Sequence, residues 1–165
     1  MMKKELFLTA VLLWLICSLT VFGQQPDFSG RWVMDPDRSF SLGPVLGVTM
    51  ILSHQGLDLK LDAKLVSSEG EREVHEVWRL DGQEHPVTSA DAKAGPKVLR
   101  KAYWLPDNKR LVLVEETTTE TPQGQSVQVV TRKYSLSADR SVLTVDYYID
   151  RPQGSGEAKR VFLRR

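Results

Sequence analysis

Residues 57–65 read Leu-Asp-Leu-Lys-Leu-Asp-Ala-Lys-Leu, with an apolar side chain at every odd position and a charged one at every even position. Successive side chains of a β-strand point to opposite faces, so this period of two predicts a strand with one buried and one solvated face. An antiparallel sheet with one face in water is built from strands of this kind.

The same pattern continues on both sides of this stretch, less regularly, and predicts ten strands. Turn residues such as Asp81-Gly82 and Pro106-Asp107-Asn108 separate them, and no segment shows a convincing helical period. The predicted strands are Gly30–Met34, Gly47–His54, Leu57–Val66, Glu71–Leu80, Glu84–Thr88, Lys97–Leu105, Arg110–Glu120, Gln125–Leu136, Val142–Asp150 and Ala158–Arg165. We therefore predict an all-β fold, an antiparallel meander.

The two ends of the predicted sheet suggest how it closes. Phe28-Ser29-Gly30-Arg31-Trp32 begins it, and Ala158-Lys159-Arg160-Val161-Phe162-Leu163 ends it. Pairing of Gly30–Met34 with Ala158–Arg165 closes the meander into a single barrel of eight to ten strands and removes exposed edges.

The first 23 residues have the pattern of a secretory signal peptide. Lys3 and Lys4 precede an apolar run from Leu6 to Phe22, and Val21-Phe22-Gly23 fits a cleavage site. We expect a mature chain that begins near Gln24, a single domain over residues 24–165, and a secreted or periplasmic location. An uncleaved membrane anchor is the alternative.

Charge and cysteine content exclude several classes of protein. The chain has 22 basic and 21 acidic residues, and loss of Lys3, Lys4 and Glu5 leaves equal numbers. Without a net charge or a long block of like charge, neither nucleic acid nor an anionic membrane surface is an expected partner. The only cysteine, Cys17, lies in the predicted leader, so the domain must be stable without disulfides.

The connection between the first two predicted strands, residues 35–46, contains Pro36, Gly43 and Pro44 and looks too broken for a long strand. It is interpreted either as a helical turn or lid over one barrel mouth, or as a surface loop with Phe40 and Leu42 packed on the barrel.

Gly30-Arg31-Trp32 resembles the Gly-x-Trp signature on the first strand of the calycins, the superfamily of lipocalins, avidins and fatty-acid-binding proteins. Glu157-Ala158-Lys159-Arg160-Val161-Phe162 resembles the last strand of the fatty-acid-binding group. The resemblance implies neighbouring first and last strands and structural roles for Gly30 and Trp32. Trp32 would plug the barrel base beneath a stacked Arg160 or Arg164.

The resemblance also implies a ligand site, because fatty-acid-binding proteins hold a carboxylate with arginines inside the barrel. The matching positions are Arg132 and Arg160, with Phe162 where many members have tyrosine. Tyr134 and Tyr147 lie on the predicted inward faces and complete the candidate ligand-binding set. A buried arginine needs a partner. For Arg132 this is either a ligand carboxylate or one of Asp146, Glu115 and Glu116.

Three function classes follow. The first is a monomeric binding protein for a small, hydrophobic, fatty-acid-like ligand. The second is a packed barrel that acts through its loops on a protein partner in the envelope, and the third is an enzyme that uses the cavity. We expect the protein to bind no metal or other cofactor, because His54, His75 and His85 lie on separate predicted strands without metal-ligand spacing. We also expect it not to be an enzyme, because the Gly-x-Ser-x-Gly motif of many hydrolases is absent.

Overall fold

A computed structural model describes residues 25–40, 43, 45–87 and 95–165. The predicted leader and Leu42 lie outside these residues. Every regular element in the described part of the chain is a β-strand. The strands are β1 (Gly30–Phe40), β2 (Val45–Gln55), β3 (Asp58–Ser67), β4 (Gly70–Arg79), β5 (Glu84–Pro86), β6 (Lys97–Trp104), β7 (Arg110–Thr121), β8 (Gly124–Leu136), β9 (Val142–Asp150) and β10 (Gly156–Arg164).

The ten strands form one antiparallel sheet that curls into a nearly closed barrel. Its order is β4-β3-β2-β1-β10-β9-β8-β7-β6-β5, so sequence neighbours pair throughout and β1 pairs with β10. Trp32 lies opposite Arg164, and Met34 lies opposite Phe162. The predicted all-β meander and its closure by the first and last strands are confirmed.

Closure is incomplete at one place, because β4 and β5 are the two ends of the sheet. The chain leaves β4, turns at Gly82 and enters the short β5, which pairs with β6 rather than with β4. β4 therefore contacts β6 across a gap without a backbone ladder. Side chains must bridge this gap, and they belong to the candidate site below.

The described start of the connection after the first predicted strand, residues 35–40, differs from both interpretations of the sequence. β1 continues through Pro36 to Phe40, with a register irregularity between Asp35 and Phe40 opposite β10. Ser39 Oγ bridges it, accepting a hydrogen bond from Val161 N at 2.9 Å and donating one to Asp35 O at 2.6 Å. The expected packing of Phe40 is wrong, because its side chain is 55% exposed.

One end of the barrel is filled by side chains. Trp32 is fully buried there, and its Nε1 donates a hydrogen bond to Phe28 O at 3.0 Å. The Arg164 guanidinium lies 4.5 Å from the Trp32 ring centroid, so the predicted stacking involves Arg164. Gly30 has a φ of +140°, and a Cβ there would lie 3.3 Å from Arg164 Nη1. Glycine thus permits both the positive φ of the backbone and the close approach of the Arg164 side chain.

The remaining core residues of this packed end come from the inward faces of several strands. They include Leu52, Leu59, Leu111, Leu113, Leu143 and Val145. No helix in the described ranges is both long and apolar enough to cross a membrane.

Candidate functional site

The other end of the barrel encloses a cavity of about 240 Å³. Its volume lies just below the roughly 300–1,000 Å³ of sites for drug-sized ligands. Eight of the lining residues are aliphatic, four are charged and three are aromatic. Its lining residues are Val48, Met50, Leu61, Ala63, Leu65, Arg72, Val74, Glu76, Val130, Arg132, Tyr134, Tyr147, Ile149, Arg160 and Phe162.

The structure brings all five predicted ligand-binding residues into this cavity. Arg132 and Tyr134 come from β8, Tyr147 from β9, and Arg160 and Phe162 from β10. They share one wall because inward positions on paired strands recur every second residue. Gly30 and Trp32 lie at the packed end and do not line the cavity.

Arg132 has a carboxylate partner within the protein. Its Nη1 donates to Glu76 Oε2 at 2.6 Å and its Nη2 to Glu76 Oε1 at 3.1 Å, a bidentate pair. This closest partner is none of the three predicted. The predicted Glu115 also forms an ion pair with Arg132, with its Oε1 at 3.9 Å from Nη2, whereas Asp146 approaches Lys133 instead. The signal for Glu76 was its inward position on β4 between half-buried Val74 and buried Trp78.

Arg132 and Glu76 belong to a larger group that spans the β4–β6 gap. We call it the paired cluster; it consists of Glu76, Trp78, Arg100, Glu115 and Arg132. Arg100 Nε donates to Glu115 Oε2 at 2.7 Å, and Trp78 Nε1 donates to Glu76 Oε2 at 2.8 Å. The Trp78 ring lies 4.9 Å from the Arg100 guanidinium and 5.4 Å from that of Arg132. Two cations and two carboxylates thus balance each other where backbone pairing is absent.

Burial by itself raises the pKa of the Glu76 carboxyl. The hydrogen bonds and charge of Arg132, the Trp78 N–H and the charge of Arg100 outweigh this effect and hold that pKa below its ordinary value of 4.5. Glu76 is therefore ionised at neutral pH and keeps Arg132 neutralised. In contrast, burial raises the pKa of Tyr134, so its phenol stays protonated.

Arg160 has no carboxylate partner among the described residues. Its Nη1 lies 3.4 Å from the Tyr147 hydroxyl, and its guanidinium lies 4.8 Å from the Tyr147 ring centroid. Its Nε is buried without a hydrogen-bond acceptor in the described part of the protein. Tyr147 on β9 supplies a hydroxyl beside this arginine, although Phe162 on β10 lacks one. We call Arg160 and Tyr147 the unpaired wall.

The three histidines lie apart from the cavity. His54 packs near Trp104 at the packed end, while His75 and His85 bond to Asp62 and Asp81 at exposed positions. Within the described ranges, no group of three or more His, Cys, Asp or Glu side chains is placed to hold a metal.

No protein-family model matches this chain, and no curated protein matches it either. Among solved structures, the chain is similar to zebrafish ileal bile acid-binding protein, whose crystal structure is a complex with cholic acid. The two chains are 12% identical, with a TM-score of 0.47, and the match covers 84% of this chain and 98% of that one. The function proposed below therefore rests on this chain's own residues.

Proposed function

We propose that this chain is a binding protein that holds a small hydrophobic carboxylate in the barrel cavity. The single observation that carries the proposal is Arg160, a partly buried cation on the cavity wall that has no carboxylate partner among the described residues. Cations held away from water in folded proteins are usually paired, because desolvation without a partner is costly. A ligand carboxylate beside Arg160 and Tyr147 would neutralise this cation.

The paired cluster supports the same assignment by elimination. Glu76 is the only carboxylate in the described lining, and both its oxygens accept from Arg132. Glu76 therefore has no oxygen left to pair with Arg160. The charge of Arg132 is already neutralised by Glu76, so Arg132 is not available to bind an anionic ligand. The aliphatic remainder of the wall suits a hydrocarbon, and the volume favours a short chain.

We propose a carrier rather than an enzyme. The described cavity wall contains no serine, cysteine or histidine that could serve as a nucleophile or a general base near neutral pH. Glu76 has a lowered pKa and is held at both oxygens, so it is a weak base. These features favour binding without chemical change.

The test compares octanoate with 1-octanol, a neutral ligand of equal carbon number, by isothermal titration calorimetry on the purified domain. We expect octanoate to bind at least ten times more tightly, because a charge-assisted hydrogen bond contributes about 1.5–3 kcal/mol. Equal affinity would contradict recognition of a carboxylate. Absence of binding by both ligands would overturn the proposal and favour the packed barrel that acts through its loops.

We propose further that the barrel acts after export, and the support is the signal-peptide pattern of residues 1–23. The intact mass of protein recovered from a secreting host should correspond to a chain that begins at or near Gln24. A membrane-bound species that retains Met1–Phe22 would contradict this and indicate an anchored protein.

A further inference from the structure

The charges that line the cavity do not balance. Three arginines and one glutamate face it: Arg72, Arg132, Arg160 and Glu76. Glu76 is bound at both oxygens by Arg132, so this pair is neutral as a unit. Two cations, Arg72 and Arg160, remain without a carboxylate partner in the residues that the structure describes.

Arg72 occupies a particular place in the cavity. It lies on β4 on the same face as Val74 and Glu76, and it is exposed at the barrel mouth. It lines the barrel cavity and also an adjoining outer pocket of about 290 Å³. Arg72 therefore lies where the two spaces meet, whereas Arg160 lies on the β10 wall.

The outer pocket limits how far an anion can extend. Glu69 and Glu71 line it together with Arg72, and Glu71 pairs with Lys64 at 2.6 Å. Neither glutamate forms an ion pair with Arg72 within the described residues. A negative group that passed beyond Arg72 would meet these two carboxylates, so the favourable position for it is at Arg72 itself.

We infer that the ligand of this cavity carries two anionic groups joined by a short hydrocarbon, an α,ω-dicarboxylate, an inference that rests on the proposed binding function. One carboxylate lies at Arg160 and Tyr147, and the other lies at Arg72. Aliphatic lining residues such as Val74 and Ile149 contact the methylenes between them. Such a ligand neutralises both unpaired cations at once.

The experiment measures affinities for a series of straight-chain diacids from butanedioate to dodecanedioate, each against the monoacid of equal carbon number. At the best length, we expect the diacid to bind at least ten times more tightly than its monoacid. We expect dodecanedioate to lose this advantage, because its second carboxylate would reach Glu69 and Glu71. A monoacid that binds as well as every diacid would overturn the inference and leave the proposed function intact.

Two variants assign the effect to its residue. In Arg72→Gln the ratio of diacid to monoacid affinity should fall to about one. Arg79→Gln removes the same charge from the same strand, but Arg79 lies on the outer face beside Asp58. This control should keep the wild-type ratio. Equal ratios in Arg72→Gln and wild type would contradict the role of Arg72, and absence of binding by all acids would instead contradict the proposed function.

Discussion

The paired cluster and the unpaired wall each contribute an arginine to the same cavity. In the paired cluster the arginine charge is matched by carboxylates, and in the unpaired wall it is not. At the β4–β6 gap, Arg132 and Arg100 are matched by Glu76 and Glu115. On the β9–β10 wall, Arg160 meets a tyrosine hydroxyl and ring. The backbone ladder holds β9 to β10, so a cation there is not needed to join strands. The charges at the gap join parts of the barrel, and we propose that the charge on the wall is left for a ligand.

The largest expected effect comes from breaking the paired cluster. Glu76→Gln leaves Arg132 buried without its carboxylate, and loss of one member of a buried ion pair costs about 3–5 kcal/mol. Urea unfolding at pH 7 measures this change.

Glu71→Gln is the matched control, because Glu71 lies on the same strand and pairs with Lys64 at a well-exposed site. An exposed pair contributes little, so this variant should unfold like wild type. Equal stability of Glu76→Gln and Glu71→Gln would show that the cluster does not hold the gap.

A second comparison applies one substitution to both arginines. Arg132→Gln should lower the free energy of unfolding by about 3 kcal/mol, because Glu76 then remains buried without its main partner. Arg160→Gln should stay within about 1 kcal/mol of wild type, because the lost Tyr147 contact is offset by removal of an unpaired donor. Thermal and urea unfolding of the ligand-free proteins provide the comparison, and similar losses in both variants would remove the distinction between the two regions.

Strong acid should weaken the gap by protonating Glu76. The pKa of Glu76 lies below 4.5 in the folded protein. A carboxyl with a lowered folded pKa stabilises fully above its unfolded pKa, and the contribution is lost as the pH falls through the folded value. The stability difference between wild type and Glu76→Gln should therefore be constant from pH 7 to about 5.5 and shrink below the ordinary glutamate pKa of about 4.3–4.5. Carboxylates outside the paired cluster titrate alike in both proteins, so they cancel in the difference. A difference unchanged at pH 3 would contradict this.

Much of this fold is visible in local sequence, because strand alternation and turn residues are short-range signals. The alternation of residues 57–65 predicts β3, and the aromatic and basic ends predict the β1–β10 pairing. The extension of β1 beyond Pro36 is not visible in this way, because it depends on Ser39 bridging to Val161.

The candidate site is only partly predictable for the same reason. The inward positions of Arg132 and Arg160 follow from the period of two. The bidentate partner of Arg132 does not, because Glu76 lies 56 residues away and on a strand that does not pair with β8. The sheet fails to close between β4 and β6, and this places Glu76 next to Arg132. Arg132 is therefore neutralised within the protein, and Arg160 is not.

The central claim is that Arg160, rather than Arg132, receives the ligand's charge. The direct measurement is the affinity of Arg160→Gln for octanoate and for 1-octanol, by calorimetry beside wild type under the same conditions. We predict a loss of roughly 10- to 100-fold for octanoate, equivalent to about 1.5–3 kcal/mol for a charge-assisted hydrogen bond, with little change for octanol. Octanoate binding that is unchanged in Arg160→Gln, or that weakens equally with octanol, would contradict the account.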